Sequence, residues 1–191
     1  MKEKAKAIQK PLSVSLLEVK NSQLFWVISF SILTFFAAQV LVPVQPVPFT
    51  LQTMLVLLSG AFLGARNGAY SQVLYVAGGF VGLPVFAGFA FGPAVIFGPT
   101  GGYLLAFPLA AFLVGFILEK NKSVLAVIAS MILGTVVILV TGALYLSLFM
   151  NHNFKEAFFA GAAIFSIWGL IKVAAASSVY LSLKNKYPKL P

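Results

Sequence analysis

Lys172 lies inside an apolar run, in Ser166-Ile-Trp-Gly-Leu-Ile-Lys172, with no acid near it in the sequence. The 191-residue chain has no Asp, and its acids are Glu3, Glu18, Glu119 and Glu156. A lysine ammonium in an apolar medium is costly unless it is paired or reaches water. Two readings follow. Lys172 snorkels to an interface less than two helical turns away, about 9 Å, or an anionic ligand supplies the missing counter-charge, the reading favoured here. Uncharged polar residues cluster at the starts of other apolar runs. Thr50, Gln52 and Thr53 follow a Pro-rich stretch, and Thr100 and Tyr103 are three apart, as are Gln72 and Tyr75. Three-residue spacing shares a helical face, and each alone serves a helix–helix hydrogen bond more readily than a ligand. Together with Lys172 they suggest one pocket. Trp168, one turn from Lys172, joins that set, although Trp26 and Trp168 also suit an interfacial aromatic belt.

Other chemistry is missing. There is no Cys, so no thiolate or disulfide, and a single His152 in the polar turn Met150-Asn-His-Asn153. That leaves no acid–base constellation, no nucleophile with a base and no clustered metal ligands. The pattern of a phosphate-binding loop, G-x-x-x-x-G-K-[ST], does not occur. The chain is therefore expected not to be an enzyme and to need no cofactor of its own.

These residues must be positioned by a membrane protein. Sixty per cent of the residues are hydrophobic and 9% charged, with a mean hydropathy of +1.00. A soluble domain carries roughly a quarter charged residues. Runs able to cross a bilayer are Leu24–Val42, Thr50–Leu63 (extending to about Arg66), Gly68–Leu83, Gly98–Leu118, Val124–Phe149 and about Ser166–Leu183. Pro43, Pro46 and Pro48, then Arg66-Asn67-Gly68, then Glu119-Lys-Asn-Lys122 are the expected breaks. The Gly- and Phe-rich stretch Pro84–Phe97 is too apolar for water and too irregular for a lipid-facing helix. Backbone of that kind is tolerated at membrane depth where it is buried in protein or lines a cavity, so it is a candidate pocket wall.

Six spans place both termini on one side. Lys2, Lys4, Lys6, Lys10, Lys20, Arg66, Lys120, Lys122, Lys184, Lys186 and Lys189 then share a face, leaving Lys155 on the other. The positive-inside rule makes that face cytoplasmic. The net charge of +9 is read as a topology signal rather than as nucleic-acid binding. The first run is expected to be an uncleaved helix, not a signal peptide. The expected division is a cytoplasmic basic segment 1–23, a membrane domain 24–183 and a cytoplasmic tail 184–191. Small residues four apart, Gly60/Gly64, Gly78/Gly82, Ala111/Gly115 and Ala174/Ser178, serve close helix packing within the chain or a face for another membrane subunit.

Several ordered motifs then carry a resemblance. Pro46-Val-Pro-Phe-Thr-Leu-Gln-Thr53, Gly60-Ala-Phe-Leu-Gly-Ala-Arg-Asn-Gly68, Ser71-Gln-Val-Leu-Tyr75, Gly82-Leu-Pro-Val-Phe-Ala-Gly88 and Gly98-Pro-Thr-Gly-Gly-Tyr103 resemble the BioY family. Its members are the biotin-binding S-components of energy-coupling factor (ECF) vitamin transporters. The resemblance runs over about residues 24–183. It implies an all-α integral membrane protein of six transmembrane helices in the S-component fold, with the first external loop as a lid. It also implies a bacterial cell-membrane location, a membrane coupling subunit and two cytoplasmic ATPase subunits as partners, and ATP used only through them. The candidate substrate-binding set is Lys172, Gln52, Thr50, Gln72, Tyr75, Thr100, Tyr103, Trp168, Phe86 and Gly88. A stand-alone facilitator, or an S-component for another small anionic vitamin, is the alternative.

The chain departs from the family pattern twice. The last helix of the family usually opens with a P-x-D-L-x-K-like pattern. Here Leu170, Ile171 and Lys172 align, but Ile167 replaces the Pro and Gly169 the Asp, so Lys172 stands without its family acid. S-components usually dock through an A-x-x-x-A pattern in the first helix, and this chain offers there only weak small-residue spacings such as Thr34/Ala38. Arg66 also matches a family motif, and is read as a structural or partner contact.

Overall fold

The computed structural model describes residues 22–163 and 165–187. Most of the expected segment 1–23, with Lys2, Lys4, Lys6, Lys10, Lys20, Glu3 and Glu18, and Lys189 of the tail lie outside the described residues. In chain order the elements are α1 (Gln23–Gln39), β1 (Leu41–Val42), β2 (Phe49–Thr50), α2 (Gln52–Phe80), α3 (Pro93–Ile96), α4 (Gly101–Lys120), α5 (Val124–Leu146), α6 (Phe154–Phe158) and α7 (Phe165–Leu183). Short 3-10 turns lie at Ala87–Phe89 and Ser147–Phe149, and a π turn at Phe159–Ala163.

α1 stops three residues short of the expected Val42. Pro43 disfavours helix at the residue before it, and Leu41 and Val42 instead pair antiparallel with Thr50 and Phe49. The loop 43–48 is thereby held as a hairpin over one end of the helices. Leu51 N–H donates to the carbonyls of Ala37 and Val40, both at 3.2 Å, which fastens the hairpin to the end of α1.

α2 is two helices joined by a reversal at Gly64, whose φ of 78° and ψ of −178° break the helix. Glycine reaches that region without the steric cost a Cβ would bring. The expected break at Arg66-Asn67-Gly68 is therefore displaced, and those residues are helical. The arms 52–63 and 65–80 run back antiparallel in close contact. A Cβ on Gly68 would come within 2.7 Å of Gly60 Cα and 3.0 Å of the Ser59 carbonyl oxygen. The second arm ends in a Schellman turn: Gly82, at φ 108°, donates to Gly79 O at 3.2 Å, and Leu83 donates to Gly78 O at 3.0 Å.

The first arm also lies against α4, parallel to it. A Cβ on Gly60 would collide with the Ala111 carbonyl, and one on Gly115 with the Gly64–Ala65 backbone. Two of the four small-residue pairs thus interlock within the chain, as missing side chains allow. Gly78 and Gly82 make no such contact, and Ala174 and Ser178 are exposed on α7. Thr34 and Ala38 are buried, so the small spacing of α1 faces inward, while Ile28, Ile32 and Phe36 are exposed on that helix.

α4 begins three residues after the expected Gly98, and α5 follows it across a short link. Ser123 caps α5, its hydroxyl oxygen accepting from Ala126 N–H at 3.2 Å. Asn153 caps α6 in the same way through Glu156 N–H at 3.2 Å. That extra helix occupies part of the stretch between the last two expected spans.

The bundle has two unlike ends. At one, the Glu119 carboxylate accepts from Ala65 N–H at 3.3 Å and the Lys184 ammonium donates to Lys122 O at 3.0 Å. Arg66, Lys120, Lys122, Lys184 and Lys186 belong to this end. At the other end Gln39 Nε2 donates to Phe86 O at 3.1 Å and Tyr145 OH to Ile96 O at 3.3 Å. The hairpin 41–50, the loop 81–100 and the connection 147–163 gather there, with Lys155. Between the ends, Gly101–Lys120 and Val124–Phe149 are long and apolar enough to cross a membrane. The arms of α2 are shorter, about 18 and 24 Å at 1.5 Å per residue. Large apolar side chains such as Leu105, Leu109, Leu125, Leu133 and Ile171 are exposed around the bundle. That is a surface suited to lipid rather than water.

Gly60→Ala forces a Cβ into the Ala111 carbonyl and should lower stability by about 1–3 kcal/mol, the usual cost of overpacking. Gly78→Ala, whose added Cβ would meet only Leu83 Cδ1 at 3.4 Å, should leave the melting temperature in detergent unchanged or raised. Equal losses in the two variants would count against the close arm–α4 contact.

Candidate functional site

A cavity of about 310 Å³ lies at the end of the bundle that carries the hairpin. Its walls come from the hairpin, the loop 81–100, α2, α4, α5 and α7. The hairpin supplies Val47, Pro48 and Thr50, and the start of α2 supplies Gln52 and Thr53. The loop 81–100 contributes Phe86, Ala87, Ala90, Ala94, Val95, Gly98, Pro99 and Thr100. Tyr103, Leu104 and Phe107 come from α4, Thr135, Ile138 and Leu139 from α5, and Gly169 and Lys172 from α7. The volume lies near the lower end of small-molecule sites, roughly 300–1,000 Å³, and the mostly apolar lining with a few polar groups has their usual character.

The apolar floor is made rigid by aromatic contacts. Phe86 packs edge-on to Tyr75 with centroids 5.7 Å apart, and Gly79 leaves room for its ring, which a Cβ there would overlap. Tyr75 stacks at 6.4 Å on Phe107. The stretch Pro84–Phe97, expected to be a pocket wall, is therefore folded onto the second arm of α2 and contributes five of its residues to the lining, from Phe86 to Val95.

A chain of hydrogen bonds joins the polar groups of this end. The Thr50 hydroxyl donates to Gln52 Oε1 at 2.8 Å, Gln52 Nε2 donates to Tyr75 OH at 2.6 Å, and Tyr75 OH donates to Val85 O at 3.0 Å. One relay thus ties hairpin, both arms of α2 and loop. Tyr103 OH donates to Gly161 O at 2.8 Å, fixing the connection 147–163 to α4.

Among the described residues, Lys172 is the only charged one of the lining. Its ammonium donates to the Thr50 carbonyl at 3.1 Å, across 122 positions of sequence. The described acids are elsewhere: Glu119 is at the basic end beside Ala65, and Glu156 is in α6. The cavity therefore presents an ammonium with donor capacity left over, and no carboxylate. Gly169 lies one turn before Lys172 on the same wall, and a Cβ there would meet only Thr135 Cγ2, at 3.5 Å.

Of the ten candidate residues, Lys172, Gln52, Thr50, Thr100, Tyr103 and Phe86 line the cavity. Four do not. Tyr75 stands behind Gln52 as its hydrogen-bond partner. Gln72 is fully buried between α1 and the arms of α2, with Nε2 donating to Ser59 Oγ and Ser71 Oγ, each at 3.1 Å. Gln72 and Tyr75 do share a helical face. Because the arms are antiparallel, however, the first meets Ser59, two turns deeper than Gln52. Trp168 is 57% exposed and lies against Phe49 at 6.3 Å. The cavity face of α7 is the three-residue pair Gly169 and Lys172, which leaves Trp168 on its flank. Gly88 sits in the 3-10 turn at φ 66°, and its neighbours Ala87 and Ala90 line the wall in its place. Thr135, Ile138 and Leu139 were not anticipated. They share a face by three- and four-residue spacing, but α5 also carries Ser130 and Thr141, and nothing in its sequence marks the Thr135 face over the others. His152 is exposed in its turn, and no cluster of metal-ligating side chains occurs among the described residues.

With this geometry in place, known proteins can be compared. The model of the BioY family matches residues 7–189. The chain is 39% identical over 156 residues to the biotin transporter BioY of Thermotoga maritima, covering 82% of this chain and 92% of that one. It is 38% identical to a probable biotin transporter BioY of Pyrococcus horikoshii over 158 residues, 83% and 93% of the two chains. Among solved structures it resembles the S-component for biotin from an ECF-type ABC transporter. That match has a TM-score of 0.79 at 24% identity and covers 94% of this chain and 95% of the other. At that identity the likeness is one of fold.

The Lys172–Thr50 bond predicts a change in motion. Lys172→Met should speed amide hydrogen exchange across residues 41–50 while leaving α4 and α5 unchanged. Unaltered exchange in the hairpin would mean that this bond does not hold it.

Proposed function

Because the chain belongs to the BioY family, we propose that it is the membrane-embedded biotin-capture subunit of an ATP-driven ECF-type uptake transporter. BioY is a family of transport subunits, and the chain is not an enzyme. The observation that carries the reading is the cavity at the hairpin end, lined by apolar side chains and one ammonium without a carboxylate. Biotin has the matching parts. Its carboxylate supplies the counter-charge that Lys172 lacks, and its bicyclic ring and valeryl chain suit Phe86, Leu104, Phe107 and Ile138. Its ureido group brings one acceptor and two N–H donors for uncharged polar groups.

In this reading α1, the two arms of α2, α4, α5 and α7 are six transmembrane segments, within a membrane domain at 24–183. The basic end faces the cytoplasm by the positive-inside rule, so 1–23 and 184–191 are cytoplasmic and the cavity opens outward in the cell membrane. The hairpin 41–50 is the lid. A membrane coupling subunit and two cytoplasmic ATPases supply the energy. Docking on the coupling subunit through α1 would use the exposed ridge of Ile28, Ile32 and Phe36, because Thr34 and Ala38 are buried within the chain.

The decisive experiment is titration of protein purified from biotin-free cells with biotin, thiamin and riboflavin. Biotin alone should bind tightly, and absence of biotin binding overturns the reading. Removing one partner of a buried charged pair typically costs about 2–5 kcal/mol, so Lys172→Met should weaken biotin by at least about 30-fold. It should also erase any preference for biotin over biotin amide. Equal weakening of both ligands would instead place Lys172 at the ureido end or in the fold. Gly169→Asp restores the acid of the family pattern in a position with room for it. It should tighten biotin, and a loss of affinity with folding intact would mark this as an acid-free pocket.

A reporter fused after Pro191 should be cytoplasmic and one inserted at Asn153 external. Both reporters on one side would break the six-span topology.

A further inference from the structure

The cavity wall between Val85 and Gly92 is held at its two ends by α2. Val85 O accepts from Tyr75 OH at 3.0 Å, and Gly92 N–H donates to Gly79 O at 2.7 Å. The span between them carries Phe86, Ala87 and Ala90 of the lining. Among the described residues, the only hydrogen bonds that tie this span to another element come from one side chain, Gln39 at the end of α1. Its Nε2 donates to Phe86 O at 3.1 Å and to Phe35 O at 3.3 Å, and its Oε1 accepts from Phe89 N–H at 3.1 Å. Both amide hydrogens and the amide oxygen are thus engaged.

The turn needs that hold. Gly88 has a φ of 66° and Phe89 a φ of 60°. A residue with a Cβ is uncommon in this left-handed region and persists there where its surroundings enforce it. Within the turn, Phe86 N–H donates to Ala90 O at 3.0 Å and Ala90 N–H to Ala87 O at 3.4 Å. Neither bond involves Phe89, whose N–H is oriented by Gln39. The hairpin hangs from the same end of α1, through Ala37 O and Val40 O. Two walls of the cavity are therefore fastened to one place.

Resting on the biotin reading, we propose that Gln39, which is not itself part of the lining, is a positioning residue for ligand capture. It holds the turn 86–90 in the shape that biotin meets. A wall left to order only on binding would subtract that ordering from the affinity.

Gln39→Met keeps the length of the side chain and removes its hydrogen bonds. In ligand-free protein it should speed amide exchange across residues 86–91 and leave α4 and α5 unchanged. The Kd for biotin should rise about tenfold, the size of two neutral hydrogen bonds. Saturating biotin should restore slow exchange in the turn. Phe89→Asn introduces a residue that takes a positive φ more readily, and should recover part of the lost affinity when combined with Gln39→Met. Gln39→Asn, one methylene shorter, should act in the same direction and carries the test if the methionine variant does not fold. Unchanged biotin affinity beside a loosened turn overturns the proposal, because the position of the wall would then not matter. Exchange that speeds equally in α4 and α5 overturns it too, by making Gln39 a residue of general stability. So does a Phe89→Asn change that recovers nothing. Wild-type protein that fails to bind biotin overturns the biotin reading itself, whereas the loosening of the turn is measured without ligand.

Discussion

At Gly60 three backbones meet. The first arm of α2 leaves no space there between itself and Ala111 of α4, and Gly68 of the returning arm comes against its other side. Four residues on, the reversal at Gly64 brings Ala65 against Gly115. In a lipid environment no water is expelled when helices meet, so association relies on close packing of this kind. Larger side chains at these glycines would spread the arms from α4, and the cavity walls at the far end would separate with them. The middle of the molecule is accordingly built from small residues and tight contact.

That contact divides the bundle by function. Near the basic end the Glu119 carboxylate receives the first N–H of the returning arm, where an acid suits the positive end of a helix. Toward the hairpin end the arms and α4 give way to irregular backbone, and aromatic rings take up the space. Tyr75, Phe86 and Phe107 form a packed floor, and the polar relay runs along its edge. The irregular backbone keeps its hydrogen bonds because it folds onto protein. Gly92 N–H, for example, donates to Gly79 O at 2.7 Å.

The sequence was informative where chemistry was scarce. One lysine in an apolar run, with no Asp in the chain, pointed to a cavity wall from composition and spacing alone, and the Gly- and Phe-rich loop pointed to another. What it could not supply were offsets between helices. The break expected at Arg66-Asn67-Gly68 followed polarity, whereas the reversal falls at Gly64, a glycine that takes a positive φ beside α4. Gln72 shares a face with Tyr75, yet the arm opposite decides its neighbour, and Ser59 rather than Gln52 is level with it. Trp168 failed for a related reason: four-residue spacing from Lys172 was close to the cavity face, but three-residue spacing lies on it. Thr135 had no local mark because its partner wall, at Gly169, has no side chain. Each miss concerns which surfaces face one another, a property of two segments at once.

The bond between Lys172 and Thr50 uses a carbonyl oxygen on the hairpin side. A carbonyl is present whatever residue stands at position 50. The hairpin can therefore drift in sequence without erasing this tether, provided its path is kept. Alanine scanning would accordingly pass over the hairpin half of the tether and register only the lysine. This one bond is thus genetically silent on its hairpin side, unlike the Thr50 hydroxyl bond to Gln52. A mutational map of the protein would credit the hairpin with its side-chain relay and miss this backbone contribution.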